Sequence, residues 1–179
     1  MENSLKTKFR MFFTFAMTIL ATVLVLKLLN WIPLSFQKED MRKYKTVEDV
    51  KTTLKIPKIY VPAYFPEHIK WPPAEIFAQK RPSVMIIMHF IHTDTKSFAL
   101  SIYQADAKAH FEPPYRTDIL YIRKESTVSV KGREGKLTLA VCRGNERCNR
   151  LSWDEGGYSL TLIADDSPEN ILKMAESML

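Results

Sequence analysis

TVSVKGREGKLTLAVCRGNERCNRLSWDEGGYSLTLIA, residues 127–164, carries the pattern that decides the fold. Runs rich in Val, Leu and Thr alternate with breaks that contain Gly. Thr127 to Lys131, Lys136 to Cys142, Cys148 to Asp154 and Tyr158 to Ala164 read as strands. The turns between them fall at Gly132 to Gly135, around Gly144-Asn145, and at Gly156-Gly157. Connections this short join neighbouring antiparallel strands, so the stretch predicts a meander. Leu151 and Trp153 share one face of their strand, with Ser152 and Asp154 on the other. Trp153 is therefore expected in the core, against a stripe of Ile171, Leu172 and Ala175.

Cys142 and Cys148, separated by five residues, are the only cysteines. Strand-like runs flank a turn-forming centre, so the pair is expected to close the neck of a hairpin as a disulfide. Such bonds persist in oxidising compartments. The rival is a redox dithiol, but this spacing is not the C-x-x-C that lowers a thiol pKa.

Outward from this centre, Ser83 to His92 is a buried strand, and Phe98, Leu100 and Ile102 alternate in the next. Thr117 to Ile122 follows a loop containing Pro113-Pro114. Ser167 is the N-cap and Pro168 the first residue of a closing helix. Thr46 to Leu54 reads as a short amphipathic helix. Between Pro57 and Pro82 stand six of the ten prolines. Proline removes ladder donors, so this stretch is expected to be an ordered, extended wrap and not a central strand. The fold class is α+β: about seven antiparallel strands with short N- and C-terminal helices packed on one face.

Ahead of the domain, 11–34 is predicted to be a transmembrane anchor, because its first sixteen residues carry no charge and a span needs roughly 20 mostly apolar residues. Residues 1–10 form a cytoplasmic tail, 35–45 a basic juxtamembrane linker, and 46–179 the extracytoplasmic domain. Lys27, Trp31, Lys38, Arg42 and Lys43 are expected at the membrane interface. A cleaved signal peptide is the rival, but no small-x-small site follows Leu34. The expected address is the inner membrane, single-pass, with the domain in the periplasm or outside. The formal net charge is +6, yet from Ile59 to Leu179 fifteen basic residues meet fifteen acidic ones. The basicity is thus juxtamembrane. It favours a lipid bilayer as partner over nucleic acid.

Two segments look familiar. One runs from Thr46-Val47-Glu48-Asp49-Val50 through Ile56-Pro57-Lys58-Ile59-Tyr60 to Phe65-Pro66. The other runs from Leu151 to Leu162 and continues through Ser167-Pro168-Glu169 to Ala175-Glu176-Ser177. Together they resemble the extracytoplasmic family called domain of unknown function 4367. That resemblance implies a single-pass bacterial protein, in some relatives a regulatory one, and contributes no catalytic residues. Relatives that look like anti-sigma regulators carry a cytoplasmic zinc module; the ten-residue tail here has neither Cys nor His.

No motif carries catalytic or cofactor chemistry: G-x-S-x-G, H-E-x-x-H and a Gly-rich phosphate loop are all absent. His89 and His92 lie three apart on a strand, so they face opposite sides and no metal site is expected. His68 and His110 fall in loops. Asp154-Glu155 and Asp165-Asp166 read as turn and cap chemistry. The basic residues near Gly132 and those near Cys142 lie at opposite ends of one strand, as two tips. The wrap supplies the best interaction surface: Tyr64, Phe65, Trp71 and Phe77, with Tyr115 from the later loop. These readings predict a membrane-tethered interaction or accessory module without chemistry of its own. Its partner would be an unidentified envelope protein or an apolar ligand. The alternative is a carrier whose curved sheet holds an acyl chain or a lipoprotein segment.

Overall fold

A computed structural model describes residues 13, 15–27, 41–109, 111, 113, 119–142 and 146–179. Compact structure begins a new unit at Met41, separate from Met1–Asp40. In the first unit the described residues, 13 and 15–27, are helical. Among the described residues no helix is long and apolar enough to cross a membrane. The remainder of the expected anchor, the cytoplasmic tail, Trp31 and Lys38 lie outside the described residues.

The second unit is built on one antiparallel sheet of eight strands, one more than the sequence suggested. They are β1 (Arg42–Tyr44), β2 (Glu75–Gln79), β3 (Met85–Ile91), β4 (Phe98–Asp106), β5 (Ile119–Val130), β6 (Arg133–Cys142), β7 (Asn149–Glu155) and β8 (Tyr158–Ala164). The spatial order is β1-β2-β3-β4-β8-β7-β6-β5. Two four-stranded meanders thus meet at β4 and β8, and the chain crosses from β4 to the far edge before β5. The second meander is the one expected from 127–164. Its β5–β6 and β7–β8 turns are two-residue ones: Lys131 and Gly132 both have positive φ, as do Gly156 and Gly157. This is the hairpin geometry whose twist matches the strands. Gly135, expected in the first turn, instead stands inside β6 opposite Val128.

Three expectations are corrected. The linker 35–45 does not extend as far as expected, because Arg42–Tyr44 pairs with β2; the domain starts at Met41 and not at 46. The proline-rich stretch does contain an interior strand: β2 lies between β1 and β3. Its five residues fit between Pro73 and Pro82, so no proline interrupts the ladder. Ile119–Ile122 and Thr127–Val130 are not separate strands; Thr117 and Asp118 lie outside the described residues. Both runs belong to one twelve-residue strand whose register shifts twice near its start, and such bulges break the alternation that marks a strand.

Pleating sorts the side chains onto two faces. Met88, Ile102, Leu162, Leu151 and Leu137 are register partners across five strands and point to one of them. On that face pack α1 (Val47–Leu54) and α2 (Pro168–Glu176), joined to one continuous core through Val50, Ile171, Met174 and Ala175. Trp153 belongs to that core. Met174 fills the place expected of Leu172, which is only partly buried. Thr46 accepts from the Asp49 amide while the Asp49 carboxylate accepts from the Thr46 amide, a reciprocal cap for α1. Ser167 caps α2 through the Asn170 amide, with Pro168 in its first turn.

The wrap is held on this face at both ends. Ala63 donates to the Ser177 carbonyl and Leu179 donates to the Val61 carbonyl, while Lys70 and Ala74 donate to β3. Gln104, fully buried in β4, joins wrap to sheet: its Oε1 accepts from the Tyr60 amide at 2.9 Å and its Nε2 donates to the Lys58 carbonyl at 2.8 Å.

Candidate functional site

The wrap places its aromatics unequally. Phe90 is fully buried in β3. Phe65 packs on it with ring centroids 5.2 Å apart, and Trp71 packs on Phe65 at 5.5 Å. Trp71 nevertheless remains 52% exposed, and Tyr64 is exposed beside it in sequence. Below Trp71 opens a groove of about 450 Å³, walled by Val47, Ile59, Val61 and Phe65 and rimmed by Glu48 and Lys51. Two residues of the expected surface, Phe65 and Trp71, therefore line one largely apolar slot whose walls pack against the core.

Phe77 does not belong to that slot. It is the register partner of Ile87, which pairs with Tyr103, itself opposite Thr161, on the other face of the sheet. There Lys43 lies over its ring at 5.8 Å and also pairs with Glu75 at 2.8 Å. Lys43 and Arg42, expected at the membrane interface, are thus members of edge strand β1. Lys27 is helical and exposed. Tyr115, His110, Pro114 and Arg143 lie outside the described residues. The expected surface is divided between two faces because the strand after Pro73 turns Ile76 and Ala78 inward and Phe77 outward.

The second face carries a groove of about 400 Å³ between β5–β8 and Phe111 and Pro113. Its floor is polar. Ser152 and Thr161 share a hydrogen bond at 2.9 Å, and Glu125 meets Lys136 at 3.0 Å and Thr138 at 3.2 Å. The Lys136 ammonium, with help from Thr138, holds the Glu125 carboxyl below its ordinary range. Ile119 and Ile122 form the apolar outer wall. Sequence reading missed this groove, because its polar residues are single positions on successive strands that only the register sets side by side.

The histidines separate as their spacing requires. His89 Nδ1 lies 2.6 Å from Ser101 Oγ. His92 stacks on His68 at 5.4 Å, a proximity created only by folding. His68 Nε2 is 3.0 Å from Asp166 Oδ2, an ion pair when the ring is protonated. That buried oxygen makes no well-angled hydrogen bond, whereas Oδ1 accepts from the Ser167 amide and from Asn170 Nδ2. We read the contact as a clamp between wrap and helix start. Among the described residues no group of three His, Cys, Asp or Glu side chains is arranged to hold a metal ion. Cys142 and Cys148 are bonded, with Cα atoms 5.9 Å apart, at the neck of the β6–β7 hairpin.

No family model, no curated protein and no solved structure matches the chain. The resemblance to domain of unknown function 4367 rests on the two segments quoted above alone.

Proposed function

We propose that this chain is a membrane-tethered interaction module. Residues 11–34 anchor it in the inner membrane, and the domain from Met41 onward works outside the cytoplasm. It binds an envelope protein and performs no chemistry of its own. One observation carries this reading. Trp71 is half exposed at the mouth of an apolar slot, yet its ring is braced by Phe65 and Phe90. A large aromatic held rigid over a filled core loses little entropy on binding, which is the character of an interface anchor. The disulfide supports the oxidising address. The carrier reading has less support. Leu100, Ile102, Leu160 and Leu162 on the helical face are fully buried under helices and wrap, so the sheet does not curve around an open apolar cavity there.

The test is a photo-crosslinking residue at exposed Lys70, with Trp71 kept, in the full chain in its native membranes. A discrete adduct at position 70 and none at exposed Glu169 is expected. Equal labelling at both positions, or none at position 70, overturns the assignment. The address is tested separately. Protease added outside intact spheroplasts is expected to degrade the domain, and protection until the membrane is opened would place it in the cytoplasm.

A further inference from the structure

We propose that the outer edge of β5 receives an extended, acidic segment of a partner polypeptide as a ninth strand. This surface is separate from the Trp71 slot and does not depend on it.

The two edges of the sheet differ. β1 is blunted by its length of three residues. β5 has twelve residues, and among the described residues no strand pairs with its outer side. Val130 and Arg133 flank a two-residue turn, which makes them a hydrogen-bonded pair. The alternation of the ladder then turns the amides and carbonyls of Ser129, Thr127 and Glu125 outward. Only another backbone in extended conformation matches such a row, so the occupant is a polypeptide strand.

Side chains specify the rest. Leu120, Tyr121 and Ile122 are consecutive and 58%, 48% and 51% exposed. Strand edges in water rarely present such a run. Next come Arg123 and Lys124, both exposed. The following carboxylate, Glu125, is already paired with Lys136 and Thr138 on the face of the sheet. The charge left facing a newcomer is therefore basic, and opposite charges across a strand pair are favoured. An added strand carrying acidic residues beside apolar ones satisfies the backbone, the cations and the exposed apolar run together. Its side chains on the outer face come level with Ile122 and Glu125, at the wall of the groove described above.

The full chain in phosphatidylcholine nanodiscs is titrated with a fluorescent peptide alternating Glu and Val. Saturable binding is expected. A Lys–Val peptide, and the Glu–Val peptide N-methylated at every amide, should each bind at least about tenfold more weakly. Thr127→Pro removes one outward amide and should weaken binding. Because a proline can disturb the strand itself, the double variant Arg123→Glu, Lys124→Glu offers a second arm. Both positions are exposed, and the pair should invert the preference between the two peptides. Trp71→Ala should leave the titration unchanged, which separates this surface from the slot. Absence of saturable binding, or equal binding of the N-methylated peptide, overturns the proposal. So does a β5-dependent dimer in ultracentrifugation that excludes the peptide, since the occupant would then be a second copy of the chain.

Discussion

Tyr60 sets its hydroxyl against Gly156, in the space where any other residue would carry its Cβ. The wrap thereby locks onto the β7–β8 turn, with the Tyr60 and Tyr158 rings edge to face at 6.2 Å. Gly156 also has φ +59, whereas its neighbour Gly157 has φ +85 and open space around it. Gly156→Ala should therefore cost about 2–4 kcal/mol, from left-handed strain plus displacement of a buried ring. Gly157→Ala should cost only the strain, about 1–2 kcal/mol. Urea melts of the two variants give the comparison. Tyr60→Phe in the Gly156→Ala background should recover part of the loss; equal costs for the two glycines would show that the ring moves aside freely.

Gln104 is a second lock on the same wrap. Replacing it with Leu keeps the volume close but strands the Tyr60 amide and the Lys58 carbonyl. Each lost partner of a buried backbone group costs about 1–3 kcal/mol. The variant should unfold at lower urea, and the amide of Tyr60 should exchange with solvent faster than those of β4. Unchanged exchange at Tyr60 would mean that the wrap is held without this side chain.

What the sequence made legible was local. Gly156-Gly157 and Ser167-Pro168 specify a turn and a cap by their own conformational limits, and both stand where expected. What it hid was non-local. Nothing near Ile119 says that β5 crosses to the far edge and leaves β4 to pair with β8. Arg42–Tyr44 has no apolar alternation, because an edge strand of three residues buries little. Phe77 was grouped with Trp71 by the prolines around both. The alternation of Ile76 and Ala78 with Phe77 was the available signal that they belong to different faces. Likewise Gln104 follows the apolar alternation of Leu100 and Ile102 onto the helical face, and only its partners 44 and 46 residues earlier explain a polar side chain there.

Tyr158 gives the alkaline edge of stability a sign. Desolvation first, then Asp106 and Tyr60, raise its phenol above the ordinary value near 10. The folded state then holds a proton that the unfolded state releases. The contribution is complete below the unfolded pKa and is lost as pH rises through the folded one. Chain stability should therefore fall above pH 10, and Tyr158→Phe should flatten that fall relative to the parent. Matching slopes for parent and variant between pH 9 and 12, taken as a range of about 3 units around the phenol pKa, would assign the alkaline loss to other groups.

The Cys142–Cys148 bond closes a short loop on a sheet that already has a continuous core. Among the described residues, Ala140 and the partly buried Ile119 pack with it as a separate small cluster. Its removal should cost about 2 kcal/mol in the chain-entropy model. The double Cys→Ser variant should remain folded, with the loss confined to amide protection near the hairpin tip. Global unfolding of that variant would show that the bond supports more than its hairpin, and free thiols in natively isolated protein would remove the bond itself.

The two tryptophans of the domain make the sharpest comparison. Trp153 is 3% exposed and Trp71 is 52% exposed. Trp153 stands on β7 opposite Leu160 and Gly135, in the core that includes Ile171, Met174 and Ala175. Its indole Nε1 donates to Glu155 at 3.3 Å, so the ring is buried without leaving its polar atom unpaired. Truncation to Ala removes most of a large side chain from a packed site and should cost about 3–5 kcal/mol, enough to threaten a domain of ordinary stability. Trp71 contacts Phe65 and Phe90 on one side and water on the other. Its truncation forfeits only the packed half, about 1–2 kcal/mol. If Trp71 is an interface anchor, Trp71→Ala should abolish the crosslinked adduct of the full chain carrying the photoreactive residue at Lys70, while the fold survives. Trp153→Ala should lose both together. Equal and large losses of stability would assign Trp71 to the core and remove the slot as a binding surface. A stable Trp71→Ala chain that still forms its adduct would leave the slot intact but take the anchor out of it.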